Sequence, residues 1–189
     1  MVFESRLPRL IAPERIVLTG FMGSGKSTIG RLLATELGWS FVDLDTLVEQ
    51  RTSLSVPQLF AERGESAFRL EEHDALTHAL AHRNTVIALG GGALETPGNR
   101  ELLAATPSTL MVFLDASFEA LEARCVVQAA TGEATLRPLW TESSAARARL
   151  STRLPLYAAL AHLRIDTEGQ TPQETVHAIR SRLLPTQSC

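Results

Sequence analysis

The chain has 189 residues, 44% of them hydrophobic, and a formal net charge of −3. That length and apolar share suit one domain with a buried core, and the near-neutral charge argues against a nucleic-acid groove or an anionic membrane surface as partner. No apolar run approaches the ~20 residues needed to span a bilayer, and Cys125 and Cys189 show neither metal-ligand spacing nor a disulfide framework, so a reduced, cytoplasmic protein is expected.

Residues 1–14 mix Glu4, Arg6 and Arg9 with two prolines and lack the apolar region and cleavage site of a signal peptide. They read as a flexible arm ahead of a single domain at 15–184, with 185–189 as a tail. Ile16 to Leu18 form an apolar run fit for a buried strand. Gly20, Gly23 and Gly25 then permit a tight turn, and Lys26-Ser27-Thr28 opens a helix carrying Ile29, Leu32, Leu33 and Leu37. This is G-x-x-x-x-G-K-[ST] in a strand–loop–helix setting. Free amides of the loop and first helical turn, with the positive helix end, make an anion site sized for phosphates. Gly23, Ser24, Gly25, Lys26, Ser27 and Thr28 are the candidate phosphate-binding residues, with the Lys26 charge near the β/γ-phosphates and the Ser27 hydroxyl offered to Mg²⁺. Lys26 is also the only lysine among 18 Lys and Arg residues. A compact ammonium and a planar guanidinium are not interchangeable, so Lys26 is read as functional.

Gly38 fits a helix C-cap, and 40–45 reads as a second strand. Asp43 and Asp45, two apart on an extended segment, would share a face. Beside a phosphate loop one can hold Mg²⁺ through water while the other meets an acceptor hydroxyl; the alternative is that Asp45 caps a helix starting near Thr46. Short helices are expected over 46–51 and 56–63, and a longer one over 65–82. On the latter, Phe68, Ala75, Leu76, Ala79 and Leu80 trace an apolar stripe that also contains Glu72. A carboxylate there needs a partner, and Arg69 is in reach at i−3. Either the two form a surface ion pair of little value, or Glu72 holds Arg69 rigid to grip an anionic substrate.

A third buried strand at 85–89 ends in Gly90-Gly91-Gly92, which permits close approach of a ligand to the backbone. A helix from Pro97, a fourth strand over 109–114 and a helix capped by Ser117 follow. Residues 130–143 break the pattern and read as a flap carrying Arg137-Pro138-Leu139. A helix over 145–153 is expected to be interrupted by Pro155 before Tyr157, with Arg153 offering another cation. A short strand over 162–166 and a helix from Thr171-Pro172 to about Leu184 close the chain. The alternation implies a mainly parallel five-stranded sheet covered by helices on both faces, a three-layer fold. In such sheets ligands sit beyond the carboxyl ends of the strands, where the phosphate loop, Asp43, Asp45 and Gly90 to Gly92 all fall.

Taken together, these pieces resemble the shikimate kinase family. The likeness runs from about Arg15 to Leu184 and rests on the phosphate loop, Asp43-Leu-Asp45, Phe68-Arg69 with Glu72, Gly90-Gly91-Gly92, Arg137-Pro138-Leu139 and Arg153-Leu-Pro155-Leu-Tyr157. The resemblance implies a P-loop kinase fold with a mobile lid at about 125–143. It also implies Mg²⁺- and ATP-dependent phosphorylation of the 3-hydroxyl of shikimate, and a monomer is expected. It places Asp45, Arg69, Gly91 and Arg153 on shikimate, Asp45 near the reacting hydroxyl and the two arginines on the carboxylate. It brings Arg137 onto the phosphates with the lid and Gln170 to the adenine side. The segment between Arg124 and Arg137 is longer than is usual in this family, and Trp140 stands where an aliphatic residue is common.

Overall fold

A computed structural model describes residues 13–130 and 143–183. Strands β1 (Arg15–Thr19), β2 (Ser40–Asp43), β3 (Thr85–Ala88), β4 (Thr109–Asp115) and β5 (Leu163–Asp166) form one sheet in the order β2-β3-β1-β4-β5. Every pairing is parallel, and the register aligns Leu18 with Ala88 and with Val112. The helices are α1 (Lys26–Leu37), α2 (Leu44–Thr52), α3 (Val56–Leu80), α4 (Pro97–Ala105), α5 (Phe118–Ala130), α6 (Ser143–Leu160) and α7 (Pro172–Leu183), with a 3₁₀ turn at Ala93–Glu95.

The strands read as continuous apolar runs because both faces of the sheet are covered. Their two-residue period then sorts the side chains. Ile16, Leu18, Leu110, Val112, Leu114 and Ile165 pack with Ile29 and Leu33 of α1 and Val176 and Ile179 of α7. Val17, Ile87, Met111 and Phe113 point the other way, into a larger cluster with Leu59, Leu76, Leu103, Leu121, Leu150 and Tyr157. Burying each such side chain is worth about 1.5–3 kcal/mol, so the two clusters hold the three layers together. Trp39 packs at the edge of the first cluster, in keeping with a packing role.

Several sequence expectations are corrected. The second strand stops at Asp43, because Asp43 caps α2 by accepting from the Thr46 amide at 3.4 Å. Asp45 therefore lies in the first helical turn and not on an extended segment beside Asp43. The helices expected over 56–63 and 65–82 follow one another as α3, broken at Gly64, whose φ of 80° no helix accommodates, and α3 ends at Leu80. Pro155 lies inside α6 and does not end it; Tyr157 continues the same helix. Residues 125–130 extend α5, and 143 already belongs to α6. The central part of the expected lid, with Arg137 and Trp140, lies outside the described residues.

Candidate active site

The phosphate loop joins the carboxyl end of β1 to α1. Its turn needs left-handed or otherwise strained backbone at three places, φ being 147° at Gly20, 80° at Gly23 and 86° at Gly25, conformations that residues with a Cβ rarely adopt. No side chain caps the amino end of α1, so its first-turn amides face the loop's concavity. The Ser24 hydroxyl is buried and has no hydrogen-bond partner among the described residues. Lys26 Nζ donates to the carbonyl oxygens of Gly20 at 2.9 Å and Phe21 at 3.0 Å, which lays its charge over the loop. Thr28 is exposed in the first turn of α1.

Ser27 and Asp43 come together across the sheet edge: Ser27 Oγ donates to Asp43 Oδ2 at 2.6 Å. Hydroxyl and carboxylate oxygens at a phosphate site are the hard donors that suit Mg²⁺, which usually takes one or two carboxylates and substrate phosphates in place of an all-protein cage. Among the described residues no group of three or more His, Cys, Asp or Glu is placed to hold a metal ion by itself. Asp45 is part-buried one helical step farther on, beside Gly90: a Cβ at position 90 would stand 2.6 Å from Asp45 Oδ1 and 3.0 Å from Glu72 Oε1. Glycine here leaves both carboxylates room to close on the segment just beyond β3.

The opposite wall is built from charges. Arg69 Nη1 donates to Glu72 Oε2 at 3.0 Å, and its Nη2 donates to Glu65 Oε1 at 3.1 Å and to Glu95 Oε2 at 3.4 Å. Arg153 Nη2 reaches the same Glu95 oxygen at 2.8 Å. Burial opposes the Arg69 charge, yet Glu72 and then Glu65 hold the guanidinium more firmly protonated. Glu72 is buried at 1% exposure, and its Oε1 has no hydrogen-bond partner among the described residues. Its carboxyl is raised to about 7, chiefly by burial, with Arg69 opposing the rise and Asp45 and Glu95 adding to it. The Glu72–Arg69 pair is thus half inside the protein, not the solvated alternative. Tyr157 donates its hydroxyl to the Gly91 carbonyl at 2.5 Å, pinning the glycine run to α6, and burial raises the pKa of its phenol.

The structure therefore brings Gly23 to Thr28, Asp43, Asp45, Arg69, Gly91 and Arg153 to the carboxyl edge of the sheet. Gln170 is exposed beyond β5, where its Oε1 accepts from Thr175 Oγ1 at 3.2 Å. Two neighbours of the site, Glu95 and Arg124, escaped sequence reasoning. Glu95 bridges the two arginines. Arg124 spans from the Gly23 carbonyl, 3.5 Å away, to Thr167 Oγ1, 2.9 Å away. Gly92, within the glycine run that the sequence marks, lies against these charged ends: a Cβ there would stand 2.7 Å from Glu95 Oε2 and 2.8 Å from Arg69 Nη2, so they would have to shift. Nothing local marks Glu95 or Arg124, because their partners are distant in sequence.

A family model for shikimate kinase matches residues 22–184. The shikimate kinase of Mycobacterium avium (strain 104) is 42% identical over 182 residues, 95% of this chain and 98% of that one. The shikimate kinase of Mycobacterium tuberculosis (strain CDC 1551 / Oshkosh) is 42% identical over 176 residues, 92% of this chain and 94% of its own. A solved shikimate kinase from Acinetobacter baumannii, in complex with shikimate, has a TM-score of 0.81 at 30% identity and covers 95% of this chain and 97% of its own. A gluconokinase from Sinorhizobium meliloti 1021 shares the fold alone, with a TM-score of 0.56 at 21% identity, covering 91% of this chain and 92% of its own. The family match spans most of the chain, from within the glycine loop to the last helix, and on that ground this chain belongs to the shikimate kinase family.

Proposed function

We propose that this chain transfers the γ-phosphoryl group of ATP to the 3-hydroxyl of shikimate, giving shikimate 3-phosphate and ADP on the route to chorismate and the aromatic amino acids. The observation that carries this reading is the convergence of Arg69 and Arg153 on one carboxylate oxygen, that of Glu95. Two guanidiniums set so closely are matched to a carboxylate substrate.

In this reading Gly23, Ser24, Gly25, Lys26, Ser27 and Thr28 hold the phosphates, Arg137 descends on them, and Gln170 lines the adenine side. Ser27, and Asp43 through water, would hold Mg²⁺, which when bound neutralises charge on the β- and γ-phosphates. Arg69 and Arg153 fix the acid's carboxylate, and Gly91 lets the ring lie against backbone. Asp45 orients the 3-hydroxyl and takes its proton as that oxygen bonds to the γ-phosphorus. The bond to the bridging oxygen of ADP breaks in the same step. Catalysis here is mainly positioning and electrostatics, since the phosphoryl group itself is loosely bonded at the transition state. Residues of one chain suffice for all of these roles, so a monomer is the proposed form. No helix among the described residues is long and apolar enough to cross a membrane, and the need for ATP favours the cytoplasm.

Release of ADP, measured with shikimate, with gluconate and with no acceptor, tests the assignment. Turnover with shikimate alone is expected. Turnover with gluconate would make the chain a different small-molecule kinase. Shikimate binding without turnover would make it a sensor.

A further inference from the structure

We infer that Glu95 is an internal counter-anion for the substrate site: its carboxylate holds the place between Arg69 and Arg153 that an acid substrate must take, so the substrate binds by displacing it. This rests on the proposed use of the two arginines to grip shikimate.

Glu95 ends the 3₁₀ turn that follows the glycine run, and its amide bonds to the Gly92 carbonyl at 2.9 Å. The backbone of the turn is fixed by Ala93 and Leu94, both buried, while the Glu95 side chain is 35% exposed. One oxygen, Oε2, receives both guanidiniums, at 2.8 Å from Arg153 and 3.4 Å from Arg69. A substrate carboxylate gripped by the same two groups would need that position.

The surrounding charges single out Glu95 as the group that leaves. Glu65, Glu72 and Glu95 already face Arg69, and Glu95 faces Arg153 as well, so an arriving carboxylate adds a fourth carboxyl group against two guanidiniums. Glu72 is buried and lies on Arg69 alone. Glu65 is 67% exposed and likewise touches only Arg69. Glu95 spans both guanidiniums, and its exposure gives it a path into water. Arg153 also keeps Nε buried with no hydrogen-bond partner among the described residues. A single bridging oxygen leaves this donor unused, whereas a bidentate carboxylate has a second oxygen to offer. The bridge also needs the gap at Gly92, since a Cβ there would lie 3.0 Å from Arg153 Nη2 and closer still to the other two groups.

The consequence is a site that selects by competition: neutral ligands cannot displace Glu95 electrostatically, and carboxylates pay for entry with the ion pair they replace. Such part-exposed pairs are worth little each, so the expected effect is modest and measurable. With wild-type turnover of shikimate established first, KM values for shikimate, shikimate methyl ester and ATP are compared in wild type, Glu95→Gln and Glu95→Ala. Both variants should lower KM for shikimate about three- to tenfold, with KM for ATP unmoved and KM for the ester changed far less. A raised or unchanged KM for shikimate in both variants would overturn the inference and make Glu95 a holder of the arginines. Equal shifts for acid and ester would overturn it too, because the effect would not be electrostatic. Absence of shikimate turnover by wild type would instead sink the functional reading, and this inference with it.

Discussion

The Tyr157 hydroxyl donates to the Gly91 carbonyl at 2.5 Å, tying the middle of α6 to the glycine run at the end of β3. The bond spans 66 residues of sequence, and Tyr157 is 1% exposed. Tyr157→Phe leaves the carbonyl without this donor while keeping the ring packed against Phe113. An unpaired buried acceptor costs about 1–3 kcal/mol, and the Gly91 carbonyl is part-buried, so a modestly lower midpoint in urea is expected. Because Gly91 is proposed to lie under the substrate, KM for shikimate should also rise. An unchanged midpoint and KM would show that the bond contributes nothing to either.

Arg69→Ala should cripple shikimate use while leaving ATP affinity nearly intact, since Arg69 faces only the acid side. Charge-assisted hydrogen bonds are worth about 1.5–3 kcal/mol, so kcat/KM should fall at least about tenfold. Glu72→Ala should reproduce part of that loss by loosening Arg69. Equal losses for both substrates would point to general unfolding.

The Glu72 carboxyl carries a pH dependence of stability. Its pKa rises from 4.5 to about 7 on folding, chiefly through burial. Between those values the folded chain keeps a proton that the unfolded chain has released. The folded state then binds more protons, so stability falls as pH rises through this window and levels off above about 7. At about 1.4 kcal/mol per unit the loss amounts to about 3 kcal/mol. Denaturation midpoints at pH 4, 5, 6, 7 and 8 should show this component in wild type. Glu72→Gln, uncharged throughout, should lack it; parallel profiles for the two proteins would refute the assignment.

Asp45→Asn should lower kcat strongly with the fold retained, since an amide keeps the shape but cannot accept the hydroxyl proton. Circular dichroism and a shikimate titration check that fold and binding survive. Near-normal turnover would remove Asp45 from the chemistry.

Lys26 permits a chemical test, because a lysine-selective acylating reagent finds one side-chain amine in the whole chain. Acylation removes its charge, so activity should fall in proportion to the labelled fraction, read by peptide mass. Mg·ATP should protect, and shikimate alone should protect less. Lys26→Arg should be inactive despite keeping the charge, as the wider planar fork does not suit the glycine cradle. Full activity after complete labelling would exclude Lys26 from the mechanism.

The sequence by itself determined the phosphate loop, the alternation of strands and helices, and the pairing of Arg69 with Glu72. Each is local: a turn needing positive φ, an apolar period, and two side chains one helical turn apart. It also marked Gly90 to Gly92 as a crowded place without saying what crowds it. Only the tertiary structure decided that β1 lies between β3 and β4, that Asp43 and not Asp45 ends the strand and caps the helix, and that Pro155 stays inside α6. It alone set Arg153 and Arg69 on one oxygen of Glu95, across 58 and 26 residues of sequence. Periodicity encodes which face a residue occupies, but parallel strands are joined by long crossovers. The meeting of side chains from different crossovers is therefore settled by how the sheet orders its strands, and that order follows from the packing of both faces at once.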